Sequence, residues 1–146
     1  MKVLPLVAGA ESTVALAADG APDRILGCDW VANDRLVCRI HWIVPAPHSP
    51  YLPEDALSPF WRIVAVNMDG SNLRMLGDQN SNRTLKLGLV DGNIIDLLPE
   101  QDGQVLMTRD YVHGVGVEKK GLGVDRVDTR TGQYTVVVPP VPYASN

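Results

Sequence analysis

The chain has 146 residues, 45% hydrophobic and 21% charged, with a net charge of −4. That is enough apolar material for a core and too much for a disordered chain. The acidic balance argues against nucleic-acid binding, which needs a clustered basic face, and no apolar run approaches the ~18 residues of a membrane-spanning helix.

Met1-Lys-Val-Leu-Pro-Leu-Val-Ala-Gly-Ala10 has the single Lys and small-residue end of a signal peptide. Its apolar stretch is short and broken by Pro5, so it reads as a strand. Thr13-Val-Ala-Leu-Ala-Ala18 reads as a second strand, stopped by Asp19-Gly20 and Pro22. Residues 1–24 are therefore expected to form the outer strands of a partial sheet whose inner strands lie before this chain begins.

Two matching four-part segments follow. The first, 25–78, runs Ile25-Leu-Gly-Cys-Asp-Trp30, a polar turn, and Leu36-Val-Cys-Arg-Ile-His-Trp42. It resumes at Arg62-Ile-Val-Ala-Val-Asn-Met-Asp-Gly-Ser71 and ends with Asn72-Leu-Arg-Met-Leu76. A proline-rich insertion, placed at 44–60, separates its second and third strands, because proline cannot join a ladder. The second segment, 79–138, runs Asn93-Ile-Ile-Asp-Leu-Leu-Pro99, a polar turn, and Val105-Leu-Met-Thr-Arg-Asp-Tyr111. It resumes at Gly123-Val-Asp-Arg-Val-Asp-Thr-Arg-Thr-Gly132 and ends with Gln133-Tyr-Thr-Val-Val-Val138. Residues 139–146 read as an exit linker. Asp-Gly or Thr-Gly pairs at Gly20, Gly70, Gly92, Gly103 and Gly132 supply the positive-φ position of tight hairpins. No window shows sustained helical periodicity with caps.

The fold class is all-β: about two and a half antiparallel four-stranded blades of a β-propeller, an incomplete ring. An open stack leaves apolar faces at its ends, so self-association through exposed blade faces is expected.

Cys28 and Cys38 flank the Val31–Arg35 turn. A two-residue turn at Asn33-Asp34 sets Ala32 opposite Arg35 and sends the cysteines to opposite faces; a three-residue turn sets Cys28 opposite Cys38 and permits a bridge. Two buried thiols packing as small hydrophobes are the expectation. Trp30, Trp42 and Trp61 are expected to wedge between sheets.

Catalytic chemistry finds little support. There is no Gly-x-Ser-x-Gly elbow, and Asp110 and His113 have no nameable nucleophile. Asp110-x-x-His113 as a metal half-site is outweighed by a solvent-facing loop histidine. Gly114-x-Gly116 with Gly121-x-Gly123 precedes a strand where a phosphate cradle needs a helix. No catalytic, cofactor-binding or metal-binding residue is assigned, and no cofactor is expected. Arg39 and Arg109, which occupy similar places on the second strands of their blades, are expected to form structural ion pairs with Asp29 and Asp96 on the preceding strands.

Three stretches carry a resemblance. Cys28-Asp-Trp-Val-Ala-Asn-Asp-Arg-Leu-Val37, Ile63-Val-Ala-Val-Asn-Met-Asp-Gly-Ser-Asn-Leu-Arg-Met-Leu76 and Val124-Asp-Arg-Val-Asp-Thr-Arg-Thr-Gly132 resemble the N-terminal β-propeller of prolyl oligopeptidase-family serine hydrolases. The bacterial dipeptidyl-aminopeptidase and acylaminoacyl-peptidase-like members are the most similar. The resemblance spans about Thr13 to Val138. It implies a cap over a C-terminal α/β-hydrolase domain that is not in this chain, with peptide as the substrate of the parent enzyme. This chain would then be a non-catalytic segment that gates and selects peptides, with neither nucleic acid nor membrane as partner. The alternative is a free-standing module that binds a protein through its loops.

Overall fold

The structure is a computed structural model that describes residues 1–3, 9, 11–18, 20, 24–45, 53, 56–76, 92–111 and 121–141. Among these residues it is all-β. The first pair, β1 (Lys2–Val3) and β2 (Thr13–Val14), is antiparallel. A four-stranded antiparallel meander follows: β3 (Arg24–Ala32), β4 (Arg35–Pro45), β5 (Leu57–Asn67) and β6 (Arg74–Leu76). A second repeats it with β7 (Ile94–Asp96), β8 (Gln104–Tyr111), β9 (Gly121–Asp128) and β10 (Tyr134–Val141). Neither sheet closes into a barrel, and the arrangement is that of an incomplete propeller.

Alternation along the strands makes the layers. On β9 every second residue from Gly121 to Val127 is buried, so that face packs while Leu122, Val124 and Arg126 point away from it. Val105, Met107 and Val127 of the second sheet meet Val37, Ile63, Ala65 and Leu76 of the first in one core. The opposite face of the first sheet, with Leu36, Ile40, Val64 and Val66, is covered by Val3 and Ala15. The order is therefore strand pair, first sheet, second sheet.

The glycine pairs behave as their chemistry requires. Gly20, Gly70, Gly92, Gly103 and Gly132 all have φ between 72° and 89°. At Asp128–Gly132 the Asp128 carboxylate accepts from the amides of Arg130 (2.8 Å) and Thr131 (2.9 Å), and the Gly132 amide returns to the Asp128 carbonyl at 2.8 Å. Only a residue content with positive φ closes that loop.

Several boundaries move. β4 and β5 run on as a two-stranded arm in which Trp42 pairs with Phe60 and Pro45 with Leu57, so the insertion is shorter than 44–60. Pro59 is tolerated because β6 pairs with Ile63–Ala65 and, among the described residues, no strand pairs with this end of β5 on that side. The exit linker begins later than residue 139: β10 continues to Val141, with Pro139 and Pro140 in an edge strand interrupted by register shifts. Strand β2 is shorter than Thr13–Ala18. The inter-blade connection at 79–91, the His113 loop and the glycine pair Gly114 and Gly116 lie outside the described residues.

Candidate functional site

The four hairpin turns converge at one end of the stack. Arg35, first residue of β4 and 0% exposed, ties them together. Its Nε donates to Thr129 Oγ1 (3.0 Å) and its Nη1 to Asn67 Oδ1 (2.7 Å) and the Asn72 carbonyl (3.2 Å), while Nη2 donates to the Thr129 carbonyl. Thr129 Oγ1 in turn donates a hydrogen bond to the Gly103 carbonyl at 2.7 Å. Burial pulls the Arg35 guanidinium below its ordinary pKa, and the nearby Arg130 and Arg74 charges add to this. None of these acceptors is a carboxylate. The charge is held by neutral oxygens from both sheets, so it works as a cross-stitch between them.

Above it, Arg130 grips Asp34 with both terminal nitrogens (2.6 and 3.2 Å) and reaches Asp102 at 3.4 Å. The hydrogen bond from Arg130 is the main reason the Asp34 carboxyl lies below its ordinary value of 3.8. A depressed carboxylate contributes stability above its unfolded pKa and loses it as pH falls through the folded value. Asp34→Asn should therefore cost under about 1 kcal/mol at pH 7, since the pair is largely exposed. The difference from the parent chain should begin to shrink at about pH 4, where the unfolded carboxyl titrates, and vanish only below the lower folded value. Thermal melts of both chains across that range are the check; a gap that persists in acid would contradict it.

The second feature is a cleft of about 580 Å³ between the inner ends of the two sheets. Asp29 and Arg39 line it from the first sheet and Asp96 from the second, among apolar groups that include Leu26, Trp30 and Leu97. A smaller hollow of about 210 Å³ shares Leu26, Arg39 and Ile63 and is closed by Trp61, Gly92 and Asn93. Among the described residues the cleft lining contains no serine, threonine or histidine. Carboxylates and a guanidinium over apolar walls can hold a charged or amphipathic group.

Asp29, Arg39, Asp96 and Arg109 are thus placed differently from the expected pairs. Asp29 stands opposite Val37 and Arg39 opposite Gly27, diagonal neighbours on one face. Both are exposed, and among the described residues no ion pair joins them. Arg109 does form a buried pair, with a different carboxylate: its Nε lies 3.0 Å from Asp125 Oδ2, the side chains being 12% and 1% exposed. Its guanidinium also stacks on Tyr134, 4.0 Å from the ring centroid. The reason is register. A shift between Ile94 and Asp96 sets Asp96 opposite Leu106, on the face of β8 away from Arg109. Gly123 opposite Arg109 leaves room for the guanidinium to lean towards Asp125, two residues on. Asp96 instead accepts the Leu98 amide at 2.7 Å.

The cysteines are bonded, not free thiols: Cys28 and Cys38 form a disulfide. Trp30 does not wedge between sheets but stands 49% exposed beside the cleft; Trp61 packs edge-on against His41, with ring centroids 5.5 Å apart. Among the described residues no group of three or more His, Cys, Asp or Glu is placed to hold a metal. Sequence reasoning missed Arg35 and Thr129. The available signal was an arginine heading a strand that is otherwise apolar and buried.

No protein-family model, curated protein or solved structure matches the chain.

Proposed function

We propose that this chain is a non-catalytic propeller segment that gates and selects peptides for a serine hydrolase domain elsewhere in its parent protein. The observation that carries the proposal is the stacking of two successive four-stranded meanders, face to face, with all four turns stitched together at one end. That repeat is how blades are added to a ring. A ring of blades over an active site admits short or unfolded peptides and excludes folded proteins. The resemblance of the Asp-Gly and Thr-Gly stretches to prolyl oligopeptidase-family propellers supplies the reaction class.

Two further features agree. The described cleft lining, carboxylates and a guanidinium over apolar walls, is suited to holding a ligand. The far face of the second sheet exposes Leu122, Val138 and Val141, which a following sheet of the parent protein or a second copy would cover.

The test uses the native protein. A cell lysate is labelled with a fluorophosphonate probe for active serine hydrolases and precipitated with an antibody to this chain. A labelled band of several hundred residues is the expected result. An unlabelled band near 15.9 kDa would overturn the proposal and favour a free-standing interaction module.

A further inference from the structure

Strand β3 meets β4 in three registers. At the turn Ala32 faces Arg35; further along, Trp30 faces Leu36 and Cys28 faces Cys38; at the far end Ile25 faces Ile40. One extra residue enters at Val31 and another at Leu26, leaving Gly27–Trp30 as a short stretch between two irregularities. The Cys28–Cys38 disulfide sits inside that stretch.

The two-residue turn, continued without a bulge, dictates another register. Val31 would face Leu36, Trp30 would face Val37, and Asp29 would face Cys38. The cysteines would then lie on opposite faces, where no bridge can close. The bridge therefore requires the bulge. Because a one-residue slip exchanges faces, the two registers also present different side chains to the cleft. In the bridged register Asp29 shares the cleft face with Val37, and Trp30, facing Leu36, stands half exposed at the rim of the cleft. In the straight register Trp30 turns from the rim onto the Val37 face, deeper into the cleft, and Asp29 leaves it. The slip gains burial of an indole. It gives up the buried place of Val31 and the 2.9 Å hydrogen bond from the Gly103 amide to the Val31 carbonyl.

We propose that the Cys28–Cys38 disulfide is a redox lock on this register: oxidised, it holds the cleft open, and reduced, it lets β3 slip by one residue so that Trp30 fills the cleft. The reductant is a dithiol. One of its thiolates attacks Cys28 Sγ, the more accessible sulfur, since Cys28 is partly buried and Cys38 is 1% exposed. The bridge breaks and Cys38 leaves as a thiolate that takes a proton. The second thiolate attacks the reductant's own sulfur in the mixed disulfide and releases Cys28, also protonated. Two electrons and two protons pass to the cysteines, and the dithiol departs as its disulfide. Disulfides persist in oxidising compartments, so the cleft is closed while the thiols are reduced and open after oxidation. The inference stands whether or not the parent protein is a hydrolase.

The experiment follows Trp30 in the full chain carrying Trp42→Phe and Trp61→Phe, oxidised and then treated with dithiothreitol. Reduction should shift Trp30 emission to the blue and protect it from acrylamide quenching, with the far-UV circular dichroism retained and the change reversed on reoxidation. Cys28→Ser with Cys38→Ser should show the shifted spectrum without reductant and no response to it. Unchanged emission, or loss of the β signal on reduction, would overturn the lock and leave the disulfide as a staple. Should the double Trp variant not fold, the unsubstituted chain carrying 5-fluorotryptophan gives the same readout through the ¹⁹F resonance assigned with Trp30→Phe.

Discussion

Arg35→Ala is expected to cost the fold about 3–5 kcal/mol, the sum of several buried acceptors left without a donor and the cavity it opens. The side chain is 0% exposed. Its removal opens a cavity and leaves Asn67 Oδ1 and the Asn72 and Thr129 carbonyls without their donor. Since a domain of this size has a total stability of about 5–15 kcal/mol, the loss is a large share. Urea unfolding gives the measure: a lower midpoint with a similar slope is expected. Two companion variants separate charge from hydrogen bonding. Arg35→Lys keeps the charge but cannot span acceptors on both sheets, so it should recover only part of the loss. Arg35→Met fills much of the volume but satisfies no acceptor, so it should remain clearly destabilised. A Met variant as stable as the parent would show that the stitch contributes no stability.

The second large effect is expected at Gly92, just before β7. Its φ is +89°, and a Cβ built there would lie 2.0 Å from the Thr108 carbonyl oxygen. That oxygen belongs to the backbone of β8 and cannot move aside without breaking the ladder. The same place is held by the Thr108 amide on the Asn93 carbonyl (2.9 Å) and by Thr108 Oγ1 accepting the Asn93 amide (2.8 Å). Strained backbone and overpacking together put Gly92→Ala at about 2–4 kcal/mol. The damage should be local, because among the described residues β7 pairs only with β8, at the end of its sheet. Hydrogen exchange should show the Ile94–Asp96 amides losing protection while β8 and β9 keep theirs. Gly27→Ala is the control: its added Cβ meets nothing within 4 Å, and a change within about 0.5 kcal/mol is expected.

Both predictions rest on features of different legibility. The positive φ at Gly92 follows from the Asp-Gly pair in the sequence, whereas the Thr108 oxygen beside it does not. Likewise the apolar residues of β4 announce a strand, but nothing near Arg35 in sequence announces Thr129, 94 positions away.

The disulfide shows the same division within one hairpin. Both turn geometries considered from sequence hold a part of the answer. Asn33-Asp34 is a two-residue turn with Ala32 opposite Arg35, yet Cys28 still faces Cys38 because a residue is inserted at Val31. That bulge is supported by the Gly103 amide, which belongs to the other sheet. Asp96 was misplaced for an equivalent reason: the shift at Ile95 turned it away from Arg109.

By itself the sequence determined the strands, the turns and the repeat of the meander. Alternation of apolar residues and the conformational demands of Asp-Gly and Thr-Gly are local properties of the chain. Only the tertiary structure decided the register within each sheet, and with it the disulfide, the partner of Arg109 and the composition of the cleft. A single inserted residue exchanges the two faces of a strand, and whether it is inserted depends on hydrogen bonds and packing offered by the neighbouring sheet.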